Sequence, residues 1–162
     1  MTPVELLASL RDFHRDMLQL VLARQANARS VGAYDANNAY QQVLGRQDVH
    51  LRWVEDAIAG LGAPVGDLPS GESAAPPAKK EQIQQLIEFD AQAQRSFIAR
   101  WQPRVAEVSN ARHRLMLELI LGEMNEHLRV FQQALEGRTD LLGRHADGKE
   151  LSGHVLPGRP RG

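Results

Sequence analysis

Four stretches of this chain place an apolar residue every three to four positions, and helix-breaking residues separate them. That spacing draws one stripe along a helix face. It fits no strand, whose period is two, and no strand-like alternation occurs elsewhere. The first stretch opens with Thr2-Pro3-Val4-Glu5, the pattern of a capping box. The Thr2 hydroxyl can take the amide of residue 5, Glu5 can reach back, and Pro3 stands where an N–H has no helical partner. Leu6, Leu7, Leu10, Phe13, Met17, Leu20 and Val21 form the stripe to about Ala28, and Gly32 follows as a stop.

Asp35 is the expected cap of the second helix, whose stripe is Tyr40, Val43, Leu44, Leu51, Val54, Ile58 and Leu61. Gly62 and Pro64 close it. The third helix is expected from about Lys79, with Ile83, Leu86, Ile87, Ala93, Phe97 and Trp101 on its stripe and Pro103 ending or kinking it. Ser109 or Asn110 caps the fourth, which carries Met116, Leu117, Ile120, Met124, Leu128, Phe131 and Leu135 and closes at Gly137. The sequence thus predicts an all-α, four-helix bundle over residues 1–137. Residues 138–162, with five glycines and two prolines and no stripe, are expected to form an irregular tail.

Connector lengths choose the topology. The first and third links are short, which makes each flanking pair an antiparallel hairpin. Residues 62–78 hold four prolines and three glycines. Such a connector reaches ~55 Å at about 3.3 Å per residue, against ~38 Å for a 25-residue helix. It can run the full bundle length and bring the second and third helices parallel. An up-down-up-down loop satisfies the same lengths.

Composition excludes several classes. A net charge of −1 leaves no basic excess to neutralise phosphates, so no nucleic-acid partner is expected. Without cysteine there is no disulfide, thiolate site or Cys nucleophile. No apolar run approaches the ~20 residues of a membrane span. No basic-then-apolar leader opens the chain, and a cytoplasmic location is expected.

The informative residues are polar ones on apolar stripes: Gln47 and His50 on the second helix, His127 on the fourth with Glu123 one turn before it, Asp90 on the third, and His14 on the first. If the first hairpin turns about residue 30 or 31, His14 lies level with Gln47. If the second turns about 107 or 108, Asp90 lies level with Met124 and Asn125. Burying such groups is costly unless they are paired or bind metal, and a cluster at one depth is how bundles build metal sites. Three readings stand: a hydrogen-bonded polar core; a site in which His50 and His127, with Glu123 or Asp90, hold one divalent ion; or partly exposed, incidental histidines. Arg11, Arg15, Arg24 and Arg29 read as a solvated face. Trp53 and Trp101 read as packing or interface residues, and His145 and His154 in the tail suggest no site.

The segments GRQDVHLRWVEDAIAGLG and GEMNEHLRVFQQALEG resemble the second and fourth helices of the ferritin-like superfamily, in the rubrerythrin and bacterioferritin style. The family pattern has Glu three residues before each His, where this chain has Gln47 and Met124. His14 and Asp90 are the nearest candidates for the family's ligands on the first and third helices. The resemblance implies a ferritin-like fold, a homo-oligomer, and a non-standard metal site for a divalent ion such as Fe or Zn, drawn from His50, His127, Glu123, Asp90, His14 and Gln47. Metal handling or oxidase-type chemistry would follow; the alternative is a metal-free ferritin-like scaffold or protein-interaction module. The tail is a candidate for binding a partner protein. Whether the chain is an enzyme is left open.

Overall fold

The computed structural model describes residues 1–32, 34–69 and 80–136, without the side chains of 34, 35, 80 and 81. The start of the third helix at Lys79, most of the Pro-rich connector, Gly137 and the whole tail, with His145 and His154, lie outside the described residues.

The chain is all-helical, with α1 at Pro3–Ala28, α2 at Tyr34–Gly60, α3 at Lys80–Ala106 and α4 at Ala111–Leu135; no strand occurs among the described residues. The capping box forms, with the Glu5 amide donating to the Thr2 hydroxyl at 3.2 Å and the Thr2 amide donating to Glu5 Oε2 at 2.6 Å. Asn110, not Ser109, caps α4, its Oδ1 accepting from the His113 amide at 3.1 Å. Asp35 stands inside the first turn of α2, which already starts at Tyr34, instead of capping it.

Pro103 does not end α3, which continues one turn to Ala106. The ring removes one backbone bond. That loss is offset nearby: Val105 and Val108 are buried, and the Arg104 guanidinium lies 3.9 Å from the Trp101 ring centroid and 3.2 Å from Asp12. At the end of α2, the Gly62 amide bonds to the Ala59 carbonyl and the Ala63 amide to that of Ile58. This is the paired closure that needs a left-handed residue, and Gly62 supplies it with φ 76°. Arg11 of α1 then donates to the Pro64 carbonyl through Nε and Nη2, at 3.0 and 2.6 Å.

α1 packs against α2 and α3, and α4 against α3 and α2. Partner residues run in opposite senses across three of these seams. Between α1 and α2 they are Ala28 with Asn37, Arg24 with Gln47 and His14 with Glu55. Between α1 and α3 they are Asn27 with Asp90, Phe13 with Phe97 and Asp16 with Trp101. Between α2 and α4 they are Tyr40 with Phe131 and Arg46 with Glu123.

The sequence stripes become the core, with small rotations. Leu10, Phe13, Met17, Val21, Tyr40, Leu51, Ile58, Phe97, Trp101, Ile120 and Phe131 are buried, whereas Leu7, Leu20, Ile83, Leu86, Ala93, Met116 and Leu135 are half-buried. Phe13, Phe97 and Trp101 pack edge to face around one level, with Phe13 centroids 5.3 and 5.0 Å from the other two. No described helix is long and apolar enough to cross a membrane.

Gly62→Ala should lower stability by about 1 kcal/mol, because a side chain there meets no atom but forces a left-handed conformation. Chemical denaturation measures the loss, and an unchanged midpoint would show that the turn relaxes freely.

Candidate functional site

The middle of the bundle is built around a buried guanidinium. Arg24 of α1 is fully buried, so it does not belong to a solvated face. Its Nη1 donates to Gln47 Oε1 at 3.0 Å and its Nη2 to the Asp90 carbonyl at 3.2 Å, and its Cζ lies 4.6 Å from the Phe131 ring centroid. Gln47 donates in turn to Gln94 Oε1 at 3.4 Å, and Gln94 to the Met124 carbonyl at 2.7 Å. One relay therefore touches all four helices.

Asp90 sits beside this relay. Its carboxylate accepts from the Tyr40 hydroxyl at 2.9 Å and from Asn27 Nδ2 at 3.0 Å, not from Arg24. Burial raises the Asp90 pKa, and the Arg24 charge and the two hydrogen bonds oppose that rise. Burial, with Asp90 beside it, pushes the Tyr40 hydroxyl well above its ordinary range and keeps it protonated. Burial lowers the Arg24 pKa, with Asp90 countering, but a guanidinium starts so high that it stays charged.

A second group lies at the seam of α2 and α4. His50, fully buried, donates from Nε2 to Glu123 Oε2 at 2.7 Å. Arg46 clamps the same carboxylate with Nε and Nη2, at 3.0 and 2.7 Å. That clamp holds the Glu123 carboxyl below its ordinary value, with the His50 bond helping. The Trp53 ring lies 5.4 Å from the His50 ring. His127 is half-buried on the next turn of α4. The Nδ1 atoms of both His50 and His127 are buried without a hydrogen-bond partner among the described residues. Burial pulls both imidazoles below their ordinary pKa; for His127 the neighbouring His50 adds to this, while Glu123 pulls the other way for both. Burial thus favours the neutral form of both rings.

Of the six residues picked out on the stripes, His14 stands apart, while Gln47 and the Asp90 carbonyl meet on the one Arg24 guanidinium. Gln47 joins the Arg24 relay, Asp90 joins Tyr40 and Asn27, and His50 with Glu123 forms the α2–α4 seam, one turn from His127. His14 is buried elsewhere, with its Nε2 2.8 Å from Glu55. The expected pairing of His14 with Gln47 fails because α2 is shifted along α1 relative to a symmetric turn at residue 30 or 31; Arg24 takes the place opposite Gln47, and His14 stands opposite Glu55. Among the described residues, no three His, Asp or Glu side chains stand close enough to hold a metal ion. The centre, with a guanidinium, two amides and Met124, does not fit a carboxylate-bridged metal pair.

Arg24, Gln94, Asn27 and the Tyr40 hydroxyl were not among the sequence candidates. Their signal was positional: Met17, Val21, Arg24 and Ala28 are spaced as a stripe, as are Ile87, Asp90, Gln94, Phe97 and Trp101. Compared with known proteins, the chain matches no family model, no curated protein and no solved structure.

The lowered pKa of His127 sets a pH dependence. Unfolded imidazoles bind protons near 6.5, while the folded ring binds them only at lower pH. The unfolded state therefore gains protons first, and stability falls as pH drops below 6.5. Denaturation from pH 7.5 to 5 should show the native chain losing stability relative to His127→Gln. Parallel pH profiles would mean that His127 titrates alike in both states.

Proposed function

We propose that the chain is a ferritin-like bundle that works as a metal-independent scaffold, its centre held by an internal cation. The buried Arg24 carries this reading. A divalent ion in the same relay would face a fixed positive charge a few ångströms away, and amide oxygens are weak compensation for that repulsion. The opposed partner sequences support two antiparallel hairpins joined by a crossover along the bundle. So does the contact of α1 with α3 and α2 with α4, which leaves α2 and α3 diagonal. A homo-oligomer is part of the reading, and the exposed Phe89, Leu115 and Leu119 favour it.

Protein purified without a tag should carry no stoichiometric metal, and a chelator should leave its melting temperature unchanged. Arg24→Met should cost about 3 kcal/mol or more, since it removes the charge that balances the buried Asp90 carboxylate and strands the Asp90 carbonyl and the Gln47 oxygen. A bound metal whose removal unfolds the bundle would overturn the scaffold reading.

The seam favours a second reading, in which one divalent ion binds His50, Glu123 and His127. The observation behind it is the 2.7 Å pair of His50 and Glu123, beside an imidazole whose Nδ1 has no partner. Arg46 opposes such binding by occupying the carboxylate, and His127 has to turn inward. On this reading Arg46→Ala tightens Zn²⁺ or Co²⁺ binding measured by calorimetry, and His50→Ala or His127→Ala abolishes it. No uptake by Arg46→Ala would remove the reading.

A further inference from the structure

Between the C-terminal half of α2 and the N-terminal half of α4 lies a half-open cleft of about 410 Å³. Trp53, Leu61 and Met116 give it an apolar lining. Two charged residues border it from opposite helices, Asp56 on α2 and Arg112 on α4. Neither makes a hydrogen bond or ion pair with a described residue. His113 also borders the cleft. Burial, with Arg112 beside it, pushes its imidazole toward the neutral form.

We propose that this cleft binds a zwitterionic amphiphile, a free α-amino acid with a large apolar side chain. Arg112 takes the carboxylate, Asp56 takes the ammonium, and Trp53 with Met116 covers the side chain. A simple carboxylate would satisfy Arg112 but meet Asp56, and a simple amine would meet the reverse conflict. A ligand carrying both charges on one small head pairs with both residues at once. The volume lies near the lower end of small-molecule sites, which suits a single amino acid. The flanking charges are exposed to solvent and screened, so the expected dissociation constant is on the order of 0.1–1 mM.

The two charged residues of this binding belong neither to the Arg24 relay nor to the His50 pair, and only Trp53 also touches His50. The test uses the full chain, titrated with L-phenylalanine by calorimetry and by tryptophan fluorescence. Trp53 and Trp101 are the only two tryptophans, and Trp101 is buried away from the cleft. Saturable binding with a change in Trp53 emission is expected. Phenylalaninamide, which lacks the carboxylate, and N-acetyl-phenylalanine, which lacks the ammonium, should each bind about tenfold more weakly. Arg112→Ala should weaken phenylalanine to the level of its amide without weakening the amide further. Asp56→Ala should do the same for the N-acetyl compound. Both changes are at exposed positions, and circular dichroism confirms that the variants fold. No saturation at tens of millimolar overturns the proposal. So does N-acetyl-phenylalanine binding as tightly as phenylalanine.

Discussion

A charged guanidinium with no access to water sets the terms for this bundle. Arg24 cannot shed its proton and become neutral as a buried lysine can, so the other helices must help to solvate it. α2 answers with the Gln47 oxygen, α3 with the Asp90 carbonyl, and α4 with the face of Phe131. The two glutamines then pass the bonding on to the Met124 carbonyl. Asp90, close enough to balance the charge, is kept off the guanidinium by Tyr40 and Asn27, which use both of its oxygens. Charge balance and hydrogen bonding are thus handled by different atoms of one residue.

That division leaves the α2–α4 seam with different chemistry. There the charges reach the surface: Glu123 and Arg46 are partly solvated, and only His50 is fully enclosed. Interactions at such a boundary are softer, because water competes for each partner. Function that needs a group to exchange partners belongs at this seam and in the adjoining cleft. The centre, where each exchange would strand a buried polar atom, is poorly suited to it.

The helices were legible in the sequence because apolar spacing, the Thr2–Glu5 box and Gly62 each act locally. The polar centre was only half legible. Gln47, His50 and Asp90 stand out as polar residues flanked by large apolar ones. Arg24 shares that position, but long cationic side chains usually carry their charge out to water, and composition alone could not show that Gln47 and Phe131 wait for it inside. Levels between helices were the weakest inference. They depend on how each pair of helices is offset along its length, and α2 is shifted along α1, so His14 stands opposite Glu55 and not opposite Gln47. Pro103 does not end its helix, because its cost is local while the burial of Val105 and Val108 is a property of the whole bundle.

The relay of amides has a further consequence. Primary amides carry a donor and an acceptor at opposite corners, so Arg24 at one end and the Met124 carbonyl at the other dictate which way both Gln47 and Gln94 must face. Greasy stripes alone would tolerate a helix sliding by a turn; this directional chain does not, since any slip puts donor against donor. The interior thereby works as a keyed lock on helix alignment, and the outer faces are released to vary with whatever the protein has to meet.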